Sequence, residues 1–333
     1  METSSKPTFI DLFAGIGGFH IAFHNAGAEC VFASEWDSSA RKTYKSNFMK
    51  LSPNVFKVGT NGKDNFAGDI TKVDTQDIPN FDILAGGFPC QPFSIIGDKA
   101  GFKHETQGTL FFDIERIIKQ KKPKAFVLEN VRNLTSHDGG KTFKIMLNRL
   151  KLLKYKVHYK VMNALDYGVP QKRERIIIVG FIQDVPFSFP KPLEKEKRKT
   201  IQDIIETEVI DSKYFVRNEI KERRNLKMLE KMEEEPKRPY ITHENVSGSV
   251  TPHEYSCALR AGASSNYILI NNERRPTERE LLRIQGFPDW FKVVVPYTGI
   301  KKQTGNAVAV PVIESVANEV LKSLKFIKKE END

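Results

Sequence analysis

The chain has 333 residues, and 39% of them are hydrophobic, which permits a sizeable core and excludes an intrinsically disordered protein. Its formal net charge of +10 favours a polyanionic partner such as DNA or RNA, although many basic proteins bind no nucleic acid. No stretch is apolar enough to be a signal peptide or to span a bilayer, so we expect no membrane association.

The cysteines are Cys30, Cys90 and Cys257, and no two of them form a C-x-x-C pair. This spacing predicts neither a metal site nor a disulfide framework. We therefore expect a protein of a reducing, cytoplasmic compartment.

The first half of the chain alternates short apolar runs with helical patterns. Strands that alternate with helices indicate βαβ units and a mostly parallel sheet, so the predicted fold class is α/β. The predicted strands are residues 8–13, 30–34, 81–85, 125–129, 156–163 and 175–181, and the predicted helices are residues 19–26, 38–48, 110–119 and 141–153.

This alternation is lost after residue 181. Two prolines lie within residues 187–192, and residues 194–199 are charged at every position. We interpret residues 193–272 as a small inserted domain, within an α/β domain formed by residues 1–192 and 273–333. The insert has a polar helical pattern at residues 218–234. Two further helices are predicted after the insert, at residues 276–284 and 312–327, and the first of them opens with the capping pair Thr277 and Glu280.

The first predicted strand runs directly into a glycine turn that contains Gly15 and Gly17. Glycines at a strand-to-helix turn let the backbone approach a ligand closely. Glu35 follows at the end of the second strand, where nucleotide folds place a carboxylate against ribose hydroxyls, and Trp36 can stack on an adenine ring. Asp69, beside a third short strand, can accept a hydrogen bond from an adenine amino group. The alternative is a tight turn with ordinary surface acids.

The fourth strand leads into the run G-G-F-P-C-Q-P-F-S at residues 86–94, which places Cys90 at the carboxyl end of a parallel strand. That end faces the ligand crevice of an α/β sheet. Glu129, in the run L-E-N-V, ends the next strand at the same edge. Together they form a nucleophile and an acid. A buried structural cysteine and a solvated carboxylate are the alternatives.

The run Gln171-Lys172-Arg173-Glu174-Arg175 opens the last strand of the first half. Strand alternation predicts that Gln171, Arg173 and Arg175 share one face. The alternative is a charged strand edge that discourages aggregation.

These motifs, in this order, resemble those of the bacterial C5-cytosine-specific DNA methyltransferases, and in particular the small restriction–modification enzymes. The resemblance covers residues 9–182 and 275–312 and leaves out the inserted domain. It also includes R-I-Q-G-F-P at 283–288 and Q-T-G-N-A-V at 303–308. The chain departs from the family pattern at Ala258, Ala307 and Ala309, where relatives usually carry Thr, commonly carry Ser and often carry Pro.

The resemblance implies a Rossmann-like fold that uses S-adenosylmethionine, with residues 193–272 as a target-recognition domain. It implies that Cys90 attacks C6 of a cytosine flipped out of duplex DNA, and that Glu129, Arg173 and Arg175 hold this base. Residues 94–108 resemble a mobile loop that closes over the DNA. The residues implied to contact the cofactor, which becomes S-adenosylhomocysteine, are Phe13, Gly15, Gly17, Glu35, Trp36, Asp69, Ile70, Pro89, Leu110 and Asn306.

Double-stranded DNA is the implied partner, and we expect a monomer associated with the bacterial nucleoid, with a cognate restriction endonuclease as a functional rather than a physical partner. The alternatives are a tRNA cytosine methyltransferase, a DNA-binding regulator without catalysis, and a nicotinamide-dependent oxidoreductase. The tRNA relatives typically carry Pro-Pro-Cys where this chain has Phe-Pro-Cys, and the glycine spacing departs from G-x-G-x-x-G. Arg238, Arg260 and Asn266 are candidates for reading bases, but no rule maps the insert onto a DNA sequence.

Overall fold

The computed structural model describes residues 6–59, 62–89, 110–209, 211–230, 232 and 236–330, with side chains described up to residue 327. The chain divides into two compact units. The first comprises residues 1–162, 175–190 and 314–333, and the second comprises residues 163–174 and 191–313. All of residues 193–272 fall in the second unit, together with residues 273–313, which the sequence had grouped with the α/β domain.

The helices and strands before residue 182 begin and end within two residues of their predicted bounds. In chain order the elements of this part are β1 (Thr8–Leu12), α1 (Gly18–Asn25), β2 (Glu29–Ser34), α2 (Ser38–Phe48), β3 (Phe66–Ala67), β4 (Ile83–Gly87), α3 (Leu110–Lys121), β5 (Ala125–Val131), α4 (Lys141–Leu152), β6 (Lys156–Asn163), β7 (Gln171–Lys172) and β8 (Glu174–Phe181). The later elements are α5 (Asn218–Leu229), β9 (Ile241–Glu244), β10 (Val250–His253), β11 (Ser256–Cys257), β12 (Ile268–Ile270), α6 (Glu278–Ile284), α7 (Tyr297–Asn306) and α8 (Val310–Glu330).

The first unit is built on a seven-stranded sheet of the described residues, in the order β3-β2-β1-β4-β5-β8-β6. The pairs β2–β3, β1–β2, β1–β4 and β4–β5 are parallel, whereas β8 runs antiparallel to β5. Because β8 is reversed, its first residues lie beside the last residues of β5, and Arg175 pairs with Val131. The start of β8 therefore contributes side chains to the carboxyl edge of the parallel strands.

Helices cover both faces of this sheet. Ile10 and Phe126 belong to a buried cluster that includes Ile114 of α3 and Met146 of α4. Phe9, the neighbour of Ile10 in β1, has its ring 5.2 Å from that of Phe23 in α1. Consecutive strand residues point to opposite faces, and each large apolar side chain contributes about 1.5–3 kcal/mol when buried. The predicted α/β class, with a mostly parallel sheet and helices on both faces, is confirmed.

The second unit contains a small antiparallel sheet in the order β10-β9-β12, against which α5 is held by polar contacts. Arg224 of α5 is fully buried. Its Nε donates to Asn272 Oδ1 at 2.9 Å, Nη1 donates to Glu244 Oε2 at 2.9 Å, and Nη2 donates to Thr242 Oγ1 at 2.8 Å. Charge-assisted bonds of this kind contribute about 1.5–3 kcal/mol each, so they fix the helix on the sheet.

Two features of the backbone differ from the predictions. The run from Gln171 to Arg175 is not one strand, because β7 pairs with β11 of the second unit while β8 joins the large sheet. Arg173 separates them, since its amide donates to Asn163 Oδ1 and its carbonyl accepts from the amide of Ala164. The continuous strand from which the common face was predicted is therefore not present. The polar helix predicted at 218–234 ends at Leu229, although residues 231 and 233–235 lie outside the described part.

Helix α7 was not predicted, because Pro296 and the two glycines of this segment are poor helix formers. Gly305 is required there by a close approach. A Cβ atom at this position would lie 2.3 Å from the amide nitrogen of Ala261. By contrast, the predicted capping box of α6 is present, with Thr277 and Glu280 each bonding the backbone of the other.

Candidate active site at the carboxyl edge of the sheet

The register of the parallel strands aligns the predicted site residues along one edge. Leu12 of β1 pairs with Ser34 of β2, which pairs with Ala67 of β3. On the other side, Leu12 pairs with Gly86 of β4, and the next pair along is Gly87 with Glu129. Because neighbouring strands lie about 4.8 Å apart, the residues that follow these pairs form a row along the edge.

The glycine turn after β1 is a tight, left-handed structure. Gly15 and Gly17 have φ values of +56° and +89°, and Phe13 has +55°, a conformation that side chains rarely adopt. The amide of Gly17 donates to the carbonyl of Ala14 at 2.8 Å. A Cβ atom on Gly17 would lie 2.2 Å from the ring of Phe48. The turn is therefore tight and well packed, with Gly17 and Gly18 buried and Phe13 and Gly15 partly exposed, and the close approach of a ligand stays a prediction.

Glu35 connects the turn to the end of β2. Its Oε2 accepts from the amide of Gly15 at 2.7 Å, and its Oε1 accepts from the amide of Asp37 at 2.8 Å. Burial raises the pKa of this carboxyl, although both hydrogen bonds oppose the shift. Each carboxylate oxygen has a second lone pair, so Glu35 can still accept a hydroxyl donor. Trp36, the next residue, has 82% of its surface exposed.

Asp69 begins a short 3-10 turn just after β3. Its Oδ1 accepts from the amide and the hydroxyl of Thr71, at 3.0 and 2.8 Å. The hydrogen bond from the Thr71 hydroxyl lowers the pKa of the Asp69 carboxyl, so it is ionised at neutral pH. Ile70 is buried in the apolar cluster beneath. The segment after the third strand thus carries an ionised carboxylate, Asp69, whose orientation is fixed by hydrogen bonds.

Glu129 lies two residues before the end of β5 as a mostly buried carboxylate, with 8% of its surface exposed. Arg175 Nε lies 3.0 Å from Glu129 Oε1. This contact is an ion pair rather than a directed hydrogen bond, so Oε1 retains capacity to accept or share a proton. The structure therefore brings together two of the residues that the sequence assigned to base binding.

Asn130 ties the end of β5 to the segment after β4. Its Nδ2 donates to the carbonyl of Phe88 at 2.9 Å, and its Oδ1 accepts from the amide of Val131 at 2.8 Å. Pro89 follows with an exposed side chain. Cys90 and residues 94–108, the predicted nucleophile and closing loop, lie outside the described residues. Leu110, the first residue of α3, packs against the apolar cluster.

Arg173 and Asn306 belong to the second unit, and their predicted roles stay predictions. Arg173 has 3% of its surface exposed. Its guanidinium donates to the carbonyls of Leu259, at 3.2 Å, and Ala307, at 2.7 Å. Asn306 ends α7 with an exposed side chain.

Sequence reasoning missed that several motif residues form one buried polar frame in the second unit. Gln171 Nε2 donates to the carbonyl of Ile284 at 2.9 Å, and its Oε1 accepts from the amide of Leu259 at 3.0 Å. Gln285 Nε2 donates to the carbonyl of Thr304 at 2.6 Å. The signal was available, because each glutamine lies within an otherwise apolar or structured motif.

A second missed group lies beneath the glycine turn. His20 of α1 is buried, and its ring nitrogens contact the hydroxyls of Tyr44, at 2.6 Å, and Ser52, at 2.8 Å. Burial lowers the pKa of His20 to about 3. Asp11 of β1 is also buried, and desolvation raises its pKa well above the usual value. A polar residue within the apolar run of β1 was the sequence signal for this group.

The edge combines groups that suit a nucleoside ligand and a polar heterocycle. Glu35, Trp36 and Asp69 offer two carboxylates and an exposed indole, and the Glu129–Arg175 pair offers an acid with a cation. Within the described ranges no cluster of His, Cys, Asp or Glu could hold a metal ion. No helix of the described part is long and apolar enough to cross a membrane.

Comparisons with known proteins agree with this arrangement. A family model described as C-5 cytosine-specific DNA methylase matches residues 7–322. The type II methyltransferase M.NgoBI of Neisseria gonorrhoeae is 48% identical over 307 residues, which cover 92% of this chain and 90% of that protein. M.HaeII of Haemophilus aegyptius is 48% identical over 318 residues, covering 95% and 93%. The crystal structure of S. pombe Dnmt2 methyltransferase covers 96% of this chain and 100% of that chain, with 20% identity and a TM-score of 0.70, and so shares the fold.

Proposed function

Because this chain belongs to the C-5 cytosine-specific DNA methylase family, we propose that it transfers the methyl group of S-adenosylmethionine to C5 of a cytosine in a short, specific sequence of duplex DNA. The observation that carries this proposal is the Glu129–Arg175 ion pair at the carboxyl edge of the sheet. It lies one strand away from the end of β4, where Pro89 immediately precedes Cys90 in the chain.

The groups along β1, β2 and β3 fit the nucleoside part of the cofactor. Glu35 has free lone pairs for ribose hydroxyls, the exposed indole of Trp36 can stack on adenine, and the Asp69 carboxylate can accept from the adenine amine. The amino-acid part of the cofactor is proposed to lie against the glycine turn, where Phe13 and Gly15 are partly exposed. When bound, S-adenosylmethionine supplies an electrophilic sulfonium methyl group.

Cytosine C5 needs activation, because it is a poor nucleophile. In the proposed reaction the Cys90 thiolate forms a bond to C6, and the electron pair of the C5–C6 double bond moves onto C5. C5 takes the methyl group, a base removes the C5 proton, and the S–C6 bond breaks to restore the aromatic ring. A thiolate cannot reach C6 inside a stacked duplex, so the cytosine must be flipped out.

Glu129 and Arg175 stabilise the activated cytosine in this proposal. In this proposal the Glu129 carboxyl bonds N3 and the exocyclic amine of the cytosine, where it shares a proton as negative charge develops on the ring. Arg175 holds that carboxyl and offers positive charge for the cytosine carbonyl, and the predicted contribution of Arg173 is of the same kind. Their partly dry surroundings strengthen these interactions relative to water.

The second unit, with residues 193–272, is proposed to read the DNA sequence. The net charge of +10 favours association with the phosphate backbone. We infer a monomeric enzyme that acts on DNA in the bacterial cytoplasm, in functional partnership with a restriction endonuclease that cuts the same sequence.

Bisulfite sequencing of plasmid DNA treated with the purified protein and S-adenosylmethionine tests this function. We expect unconverted cytosines at one position of one short motif, on duplex DNA and not on tRNA. Treatment with the Glu129→Gln variant is the control for background. Complete conversion of every cytosine, or methylation of tRNA without DNA, contradicts the proposal.

A further inference from the structure

Three residues of the second unit were candidates for reading bases, and the structure separates them. Arg238 Nη2 lies 3.0 Å from Glu273 Oε1, so its charge is balanced by a carboxylate. Asn266 Oδ1 accepts from Arg275 Nε at 2.7 Å, which makes its side chain part of an internal contact. Arg260 is exposed, and the contacts of the described residues give its guanidinium no carboxylate partner.

The guanidinium of Arg260 is held in one place by an aromatic ring. Its Cζ lies 5.0 Å from the centre of the Tyr267 ring, and its amide donates to the Tyr267 hydroxyl at 3.1 Å. Nη2 lies 3.5 Å from His243 Nε2. Burial, and the charge of Arg260 itself, lower the pKa of His243, so the neighbouring imidazole is neutral at pH 7. The stacked arginine therefore keeps its donors available without a repelling charge beside it.

The backbone on both sides of Arg260 is fixed by the buried polar frame. The Leu259 amide donates to Gln171 Oε1, and the Leu259 carbonyl accepts from Arg173 Nη1. The absent Cβ of Gly305 allows the backbone of Ala261 to approach α7 closely, and Lys301 Nζ donates to the carbonyl of Ala263. A segment anchored this way presents its one long cationic side chain in a defined direction.

We propose that Arg260 is a specificity-determining residue that reads the O6 and N7 edge of one guanine in the DNA target. Arginine binds that edge through two parallel hydrogen bonds, and a preorganised side chain loses little conformational freedom on binding. The proposal rests on the proposed function, because it needs duplex DNA as the substrate. The competing role for an exposed arginine is a phosphate contact, which carries no sequence information.

A scan with 7-deazaguanine tests the assignment, because this base lacks the N7 acceptor but keeps the Watson–Crick edge. Each guanine of the methylated motif is replaced in turn, and kcat/KM is measured for the wild type, Arg260→Ala, Arg260→Lys and the control Arg238→Lys. We expect one guanine whose replacement costs the wild type about 10-fold, within the range of a good bidentate contact. That penalty should disappear in both Arg260 variants and remain in Arg238→Lys.

Several outcomes overturn the proposal. A uniform loss of kcat/KM in the Arg260 variants, with every 7-deazaguanine penalty retained, identifies a phosphate contact instead, and unchanged kinetics removes any role in recognition. If Arg260→Ala has no measurable turnover, its binding to duplexes with guanine and with 7-deazaguanine is compared by equilibrium competition instead. If this variant still binds the 7-deazaguanine duplex more weakly, as the wild type does, the proposal is again overturned. Failure of the proposed function is distinct, since the wild type would then leave no protected cytosine in any duplex.

Discussion

The carboxyl edge of the large sheet and the polar frame of the second unit use the same kinds of residue in opposite ways. Arg175 belongs to the first unit and pairs with the Glu129 carboxylate, whereas Arg173, two positions earlier, belongs to the second and donates to backbone carbonyls. One motif therefore supplies an arginine that faces a carboxylate at the edge and an arginine that bonds backbone carbonyls in the frame. The difference shows that matching a motif does not by itself assign a chemical role to each of its members.

The two regions also differ in how completely their polar groups are used. At the edge, the described residues make no directed hydrogen bond to Glu129 Oε1 and Trp36 is exposed, so both groups can contact a ligand. In the frame, Gln171 and Gln285 each bond backbone atoms of segments far away in sequence. Changes at the edge should therefore reduce activity at nearly constant stability, and changes in the frame should reduce stability first.

The largest expected effect is that of Glu129→Gln. This change keeps the size of the side chain but removes the ionisable carboxyl, so we expect kcat to fall by about 10²- to 10⁴-fold, the usual contribution of a general acid. The free energy of unfolding should fall by only about 1 kcal/mol, since the glutamine amide oxygen can still accept a hydrogen bond from Arg175 Nε. Single-turnover methylation and urea unfolding measure the two quantities. Activity within a few-fold of the wild type would contradict the assignment of the edge.

The contrast between the two arginines is tested by Arg173→Met and Arg175→Met. Arg173→Met removes the guanidinium donor of the Leu259 carbonyl and the shorter of the two donors of the Ala307 carbonyl, and we expect it to lower the free energy of unfolding by about 3 kcal/mol. Arg175→Met should cost less than half as much stability and should instead slow methylation. Urea unfolding gives the free energy of unfolding of both variants, and parallel assays give their methylation rates. Equal losses of stability in Arg173→Met and Arg175→Met would remove the distinction between edge and frame.

The glycine turn offers a matched pair of substitutions. Gly17→Ala combines a positive φ with a Cβ atom 2.2 Å from the Phe48 ring, so we expect a loss of about 3 kcal/mol and weaker binding of S-adenosylmethionine. Gly27 also has a positive φ, but no atom of the described residues lies within 4 Å of the added Cβ, so Gly27→Ala should cost about 1 kcal/mol with normal cofactor binding. Thermal unfolding and calorimetric titration distinguish them. Equal effects of the two substitutions would show that the turn is not shaped by contact with α2.

The buried imidazole of His20 predicts a smaller, pH-dependent effect. Its pKa is about 3 in the folded protein and about 6.5 when unfolded, so the unfolded chain binds the extra proton between these values. The stability that neutral His20 contributes is therefore complete above pH 6.5 and is lost as the pH falls toward 3. Urea unfolding at pH 7 and pH 5 should show that the wild type loses about 2 kcal/mol more than His20→Gln. An equal loss in both proteins would contradict the burial of this ring.

Local patterns were enough to predict the edge but not the frame. The strands before residue 182, apart from the more polar β6, are short apolar runs, and the capping pair Thr277 and Glu280 marks the start of α6. The contact of Arg173 with Ala307, in contrast, joins residues 134 positions apart, so no local periodicity contains it. Helix α7 was missed because its glycines lower its helix propensity. Gly305 is explained instead by a close approach to Ala261, which is also distant in the sequence.

The account depends most on the assignment of Cys90 as the nucleophile, and duplex DNA with 5-fluorocytosine at the methylated position tests it directly. Fluorine at C5 blocks the final elimination, so the wild type should form a heat-stable protein–DNA band on a denaturing gel. Cys257→Ser is the matched control, because burial raises the pKa of Cys257 to about 11 and makes it a poor nucleophile. We predict trapping by the wild type and by Cys257→Ser but not by Cys90→Ser. A trapped complex with Cys90→Ser, or its normal turnover of unmodified DNA, would contradict the account.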